Sequence, residues 1–283
     1  MANAIPLPTP KEPTADDMYM RILLYGESGV GKTITAASAA RHPELRPVLY
    51  LNFDDGMTSI THIEGIREVQ IKSNNEMLAV ANQLILPEEQ RDPKYRGFKT
   101  LVIDSITSWR DQTMNDLVKR AVASGQRNEM TTQIQDFGQM SFTLASILGG
   151  LRQAPYHIII TAGIDKEVVN EVVVKAMPLI QPKLRETISY MMSFIWYMSE
   201  KDGNFRMLTL PRGIQRIKTR NPRFVRALKE KSVELARKAG VKAPENNMGW
   251  FDLKLDDDDI PTPGIDKMYE LFKSSARKET TND

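Results

Sequence analysis

Gly26-Glu27-Ser28-Gly29-Val30-Gly31-Lys32-Thr33 is the stretch on which the fold turns. It has the spacing GxxxxGK(S/T), with the apolar run Arg21–Tyr25 before it and the Ala-rich stretch Lys32–Arg41 after it. Strand, tight loop and helix in that order are what the spacing requires. The glycines let the backbone curl with its N–H groups pointing inward, and the new helix adds the positive end of its dipole. Such a loop cradles phosphate. Lys32 is placed to reach the β- and γ-phosphates as a point charge, and the Thr33 hydroxyl to take one position on Mg2+. Gly26, Glu27, Ser28, Gly29, Val30, Gly31 and Ile34 complete the binding segment, and the implied ligands are ATP and Mg2+.

Outward from the loop, Val48–Phe53, Thr100–Asp104 and His157–Thr161 are short, β-branched and almost continuously apolar, as parallel strands buried on both faces are. Between them, Asn75–Leu86 and Ser108–Gln153 are rich in Ala, Leu, Met and Gln and favour helix. The expected class is α/β: a mostly parallel sheet flanked by helices. Leu101-Val102-Ile103-Asp104-Ser105 is an apolar strand ending in an acid, the place for a carboxylate on the metal side of the phosphates, which assigns Asp104 beside Thr33 as a metal residue. Val48–Gly56 ends in Asp54-Asp55-Gly56. A carboxylate here can polarise an attacking water, with Asp54 favoured over Asp55; the alternative is a solvated turn.

After Ala162 the pattern changes. Lys166–Leu179 alternates, and Phe194–Ser199 and Phe205–Leu210 flank the turn-forming Asp202-Gly203, so antiparallel strands are expected at the edge of the parallel sheet. A basic helix is predicted over Pro222–Ala239, with Val225, Leu228, Ser232, Leu235 and Ala239 on one face, then the acidic run Asp256–Asp259 and a short helix near Asp266–Lys273. The expected organisation is a Pro-rich arm over 1–19, a core over 20–220, and a basic helix with an acidic tail over 221–283.

Composition narrows the chemistry. Among 283 residues there is no Cys, which excludes thiol nucleophiles and Cys-built metal sites, and only three His, which disfavours a His-built one. Lys and Arg number 38 against 36 Asp and Glu, a net +2 that excludes a uniformly basic binder. From Lys218 to Lys242, however, nine basic residues meet only Glu230 and Glu234, a local balance of +7 suited to phosphate-backbone contact or to a solvated helix face. The N-terminus lacks an apolar signal core, and Ile188–Met198 is too short to span a bilayer, so a cytoplasmic location without membrane contact is expected.

The order of phosphate loop, strand ending in an acid, strand ending Asp-Ser and β-rich extension resembles the RecA-type core of recombinases and hexameric helicases. Gln135-Asp136-Phe137-Gly138, Pro182-Lys183-Leu184-Arg185 and Ile214-Gln215-Arg216-Ile217-Lys218-Thr219-Arg220 resemble phage nucleotide-binding proteins, minimal RecA-like ATPases that include single-strand annealing recombinases. The resemblance implies a RecA-like P-loop NTPase core with an antiparallel β extension, hydrolysing ATP. It also implies rings or filaments of identical subunits with shared ATP sites, single-stranded DNA and a single-strand-binding protein as partners, and the host cytoplasm as location if phage-encoded. It places Lys218 and Arg220 where a Lys-x-Arg pair reaches a neighbour's ATP site; the plainer reading is two solvated cations. It puts DNA-facing loops at Asp165–Pro182 and Ala123–Gln135, with Arg127, Lys166 and Lys175 as candidate contacts. The sequence departs from the pattern where a Gln or His sensor usually follows the fourth strand: Thr161 stands there, with Lys166 close behind. Two further function classes remain open, a nucleotide-dependent switch that binds a protein partner without DNA and a monomeric small-molecule kinase. The latter is disfavoured by the β extension and the lack of an evident Arg-rich lid.

Overall fold

The computed structural model describes residues 18–54, 56–201, 203–238, 240 and 248–276. Asp55, Asp202, Ala239, Lys242 and the arm up to residue 17 lie outside the described residues. The strands are β1 (Arg21–Gly26), β2 (Val48–Asn52), β3 (Ile66–Gln70), β4 (Thr100–Asp104), β5 (His157–Ala162), β6 (Ile164–Val169), β7 (Val172–Pro178), β8 (Phe194–Lys201), β9 (Asn204–Leu208), β10 (Lys218–Thr219), β11 (Trp250–Leu255) and β12 (Pro261–Thr262). The α-helices are α1 (Lys32–Ala37), α2 (Asn74–Ile85), α3 (Ile106–Ala123), α4 (Ile134–Gln153), α5 (Pro182–Met191), α6 (Pro222–Lys238) and α7 (Ile265–Ala276).

Six parallel strands lie in the order β8-β1-β5-β4-β2-β3. Every residue of β2, β4 and β5 is buried, which is why the sequence shows continuous apolar runs there rather than alternation. β9, β11 and β12 extend the sheet antiparallel beyond β8, and β10 pairs with the start of β8. Two apolar clusters cover the faces. Side chains of α2, α3, α4 and α5 (Met77, Trp109, Leu144, Leu184) form one. Those of α1, α6 and α7 (Ala36, Phe224, Phe272) form the other. Helix starts are set by side chains: Ser73 Oγ accepts the Glu76 N–H (3.2 Å), Ser105 Oγ that of Ser108 (3.2 Å), and the Asp136 carboxylate that of Gln133 (2.7 Å).

Several expectations are corrected. Phe194–Lys201 pairs antiparallel with β9 as expected, but it is not confined to an antiparallel edge: its other side is a parallel neighbour of β1, because β1 needs a partner on both sides to satisfy its buried backbone groups. β6 and β7 leave the sheet and form a separate two-stranded ribbon, turning at Asn170 and Glu171, both with positive φ. Strand β3 is half exposed and was not picked out, since its Ile-Arg-Glu-Val-Gln pattern lacks the apolar signal. The helix-favouring region Ser108–Gln153 holds α3 and α4, separated by the residues between Ala123 and Ile134. The described residues beyond 220 pack on the core instead of forming an acidic tail: β11 pairs with β9, α7 packs against α6, and Asp256–Asp259 lies between β11 and β12, where Asp256 pairs with Arg41. On α6 the buried residues are Phe224, Leu228, Ser232 and Ala236, so the inward face includes Phe224 and leaves Val225 and Leu235 half-buried.

His157 opens β5 inside this core. Its Nδ1 accepts the Met20 N–H (3.1 Å), and its ring meets Tyr19 and Tyr269 edge-on. Burial, reinforced by the Lys273 charge, lowers the imidazole to about 4 from 6.5. The unfolded chain therefore takes up this proton first as pH falls, so the stability that neutral His157 contributes is lost between about pH 6.5 and 4. Urea unfolding across that window should show a fall in midpoint for the wild type, and a smaller fall for His157→Gln.

Candidate active site

Because β1, β2, β4 and β5 run the same way, their C-terminal ends meet at one edge, where open α/β sheets bind ligands. The register aligns polar residues there. Gln70 faces Asn52, Asn52 faces Asp104, and Asp104 stands next after the Ile103/Ile160 pair, level with Thr161. The phosphate loop leaves the same edge from β1. A Cβ at Gly26 would lie 2.2 Å from the Met198 carbonyl oxygen, so only glycine lets the loop leave while β1 stays paired to β8. Gly31 adopts φ 78°, the left-handed turn that starts α1.

Lys32 Nζ donates to the loop's own carbonyls, Gly26 at 3.2 Å and Glu27 at 2.5 Å. Lys32, Thr33, Asp54, Ser59, Asp104 and Ser105 line a cavity of about 410 Å³ with Ser28, Gly29, Gly31 and Ile34. The Thr161 hydroxyl donates to Asp104 Oδ1. Burial pushes the Asp104 carboxyl above its usual range; hydrogen bonds from Thr161 and Thr33 oppose that, Asp54 adds to it, and Lys32 counters it. Burial likewise lowers the Lys32 ammonium, against the pull of Asp104, Asp54 and Glu27. Two desolvated groups of opposite sign thus face one cavity, and an anionic phosphate with a divalent cation would stabilise both charged forms. The donors fit those groups: one carboxylate and one hydroxyl suit Mg2+, which takes few protein oxygens and completes its shell with phosphate and water.

The sequence did not single out Asn52 or Tyr50. Asn52 is 2% exposed; its Oδ1 accepts the Asp54 N–H (2.9 Å), and its Nδ2 donates to Glu68 (2.7 Å) and Gln70 (2.8 Å) on β3. This fixes the turn that carries Asp54. The available signal was a polar residue closing an apolar buried run. The Tyr50 hydroxyl donates to the Thr33 carbonyl (2.6 Å), joining β2 to the start of α1. Val30 turns its side chain into the core, leaving its backbone for the loop.

Lys218 and Arg220 are not brought to this cavity. β10 pairs Lys218 with Ile195, which also faces Leu23, so Lys218 sits level with the middle of β1. Lys218 Nζ donates to the Ser189 carbonyl and Arg220 to the Tyr190 carbonyl (2.9 Å), so within this chain both serve the last turn of α5. Burial, with repulsion from Arg220 and Arg216, lowers Lys218 to about 8. Arg127, expected as a surface contact, is tied up in a bidentate pair with Asp136 (2.7 and 2.5 Å). A larger cavity, about 740 Å³, lies between α6 and α7 and carries none of the phosphate-loop groups.

A family model described as AAA domain matches residues 18–223, from the start of β1 to the first turn of α6. No curated protein matches the chain. Among the described residues no helix is long and apolar enough to cross a membrane. A divalent cation held at Asp104 would need that carboxyl ionised, and because its pKa is raised, Mg2+-dependent nucleotide affinity should begin to fall at a pH above the ordinary carboxylate range. Titration of a fluorescent ATP analogue from pH 8 to 5 should show this in the wild type, and Asp104→Asn should lose both the Mg2+ dependence and the pH effect.

Proposed function

The chain belongs to the AAA domain family of P-loop ATPases, and from that premise we propose that it binds Mg-ATP at the β1–α1 loop and hydrolyses it to drive work on single-stranded DNA, as in phage-type recombination or replication. The observation that carries the ATPase part is the convergence of Lys32, Thr33, Asp54 and Asp104 on one cavity. Lys32 leaves the Gly26 and Glu27 carbonyls for the β- and γ-phosphates. Asp54, its turn held by Asn52, accepts a proton from the water that attacks the γ-phosphorus. Thr161 keeps the Asp104 carboxylate oriented, and Asp104 with the Thr33 hydroxyl holds Mg2+. When bound, Mg2+ supplies neutralisation of the phosphate oxygens.

The DNA part is supported by a cationic strip. Arg223, Arg226, Lys229 and Arg237 are exposed along α6 and make no ion pair with any described residue. Tyr190, 75% exposed, adjoins Arg220 at the head of that strip and offers a ring for base stacking. Lys218 and Arg220, turned away from the chain's own cavity, act in this proposal on a neighbour's site in a ring or filament. A second reading is a nucleotide-dependent switch that binds a protein. It is favoured by apolar exposure: Ile134 is 91% exposed on α4, Phe142 is exposed further along the same helix, and Val168, Val169 and Val172 are exposed on the ribbon.

Lys32→Ala should abolish ATP binding, and Asp54→Asn should retain ATP while reducing turnover by about 10²-fold or more; phosphate release with measured nucleotide affinity checks both. Labelled single-stranded oligonucleotide should bind the wild type with a steep salt dependence. Arg223→Ala with Arg226→Ala should lower the salt slope by about one unit per cation removed. No oligonucleotide binding, with or without nucleotide, rejects the DNA reading in favour of the switch.

A further inference from the structure

Glu27, the second residue of the phosphate loop, forms an ion pair with Lys166 on β6. Glu27 thus holds two lysines, Lys32 at its carbonyl and Lys166 at its carboxylate. A carboxylate on a loop that receives phosphate works against its ligand, because like charges a few ångströms apart repel. Lys166 supplies the opposite charge from a distant part of the chain.

The ribbon that carries Lys166 is also tied at its base to the cavity. The Gly163 N–H donates to Thr107 Oγ1 (3.0 Å), and the Thr107 hydroxyl and Arg110 Nη1 donate to the Leu179 carbonyl (3.3 and 3.2 Å). The Leu179 N–H returns to the Gly163 carbonyl (2.9 Å), closing the base of the ribbon. Thr107 and Gly163 both line the cavity. On the other side the Tyr25 hydroxyl, one residue before the loop, donates to the Ala176 carbonyl on β7 (3.2 Å). The ribbon is therefore held by three groups of the nucleotide edge, and by Lys166 to the loop itself. Its far end exposes Val168, Val169 and Val172.

We propose that Lys166 is a positioning residue of the nucleotide site: it neutralises Glu27 so that phosphate can enter the loop, and it thereby couples occupancy of the loop to the placement of the β6–β7 ribbon. The inference rests on the nucleotide reading given above. Phosphate offers Lys166 a second anion beside Glu27, so nucleotide changes how firmly the ribbon is held. Both side chains are about half exposed, which keeps the expected effect modest and sensitive to salt.

The test is a double-variant cycle with a non-hydrolysable ATP analogue and Mg2+ at 0.05 and 0.5 M NaCl. Lys166→Met should weaken binding roughly fivefold at low salt, with the gap narrowing at high salt. In a Glu27→Gln background, referred to the affinity of Glu27→Gln itself, Lys166→Met should cost less than about twofold. Hydrogen exchange over 164–178 should respond to the analogue in the wild type and lose that response in Lys166→Met. Unchanged affinity in Lys166→Met, the same fivefold loss in the Glu27→Gln background, or a ribbon whose exchange ignores nucleotide in the wild type would each overturn the proposal. A wild-type protein that binds no nucleotide would instead overturn the phosphate-site reading itself.

Discussion

The structure depends on keeping one carboxylate, Asp104, ionisable while it is buried at the end of a fully buried strand. Desolvation alone pushes its pKa up and disfavours the charged form. The surrounding groups answer that cost: Thr161 from β5 and Thr33 from the loop give it hydrogen bonds, and Lys32 gives it charge. Thr161 comes from the end of β5, and Thr33 and Lys32 from the loop and helix that follow β1, so the arrangement exists only if β1, β5 and β4 lie side by side, parallel and in this register. The sheet order places β5 between β1 and β4, which puts Thr161 against Asp104 and leaves room for the loop and Thr33 on the other side.

A second constraint is the approach of β8 to the loop. The Met198 carbonyl occupies the space a side chain at Gly26 would need. β8 therefore fixes the first loop residue, while Tyr50 on β2 holds the Thr33 carbonyl and Asn52 holds the turn of Asp54. The site is supported from both sides of β1 by strands far apart in sequence. The C-terminal segment contributes as well, since α7 packs on α1 and sets the Tyr269 ring edge-on against His157 at the opposite end of β5.

Charge is distributed in the same spirit. The +2 total conceals a strip on α6 and an acidic turn at Asp256–Asp259. Part of that local charge is internally matched: Lys231 and Lys238 share Glu234, and Arg41 takes Asp256. The cations that pair with no described residue, Arg223, Arg226, Lys229 and Arg237, lie along the exposed side of α6. Counting charges in sequence overstated the surface available to an anion, because pairing is decided by which side chains the helix and turns bring within reach.

The sequence by itself determined the loop after β1, the four buried strands β1, β2, β4 and β5, and which residues, Lys32, Thr33, Asp54 and Asp104, their ends bring to one cavity. Each of these leaves a local mark: glycine spacing, continuous apolar runs, an acid at a strand end. Only the tertiary structure decided that β8 is parallel, that β6 and β7 form a separate ribbon, that Asn52 positions Asp54 and that Lys166 meets Glu27. It also decided that Lys218 and Arg220 serve α5 rather than this chain's cavity. The reason is physical. The place of β8 beside β1 and the choice of Lys166 by Glu27 are settled by contacts between residues more than a hundred positions apart, and the remaining choices by which elements the fold brings into reach; neither leaves a periodicity within a short window of the chain.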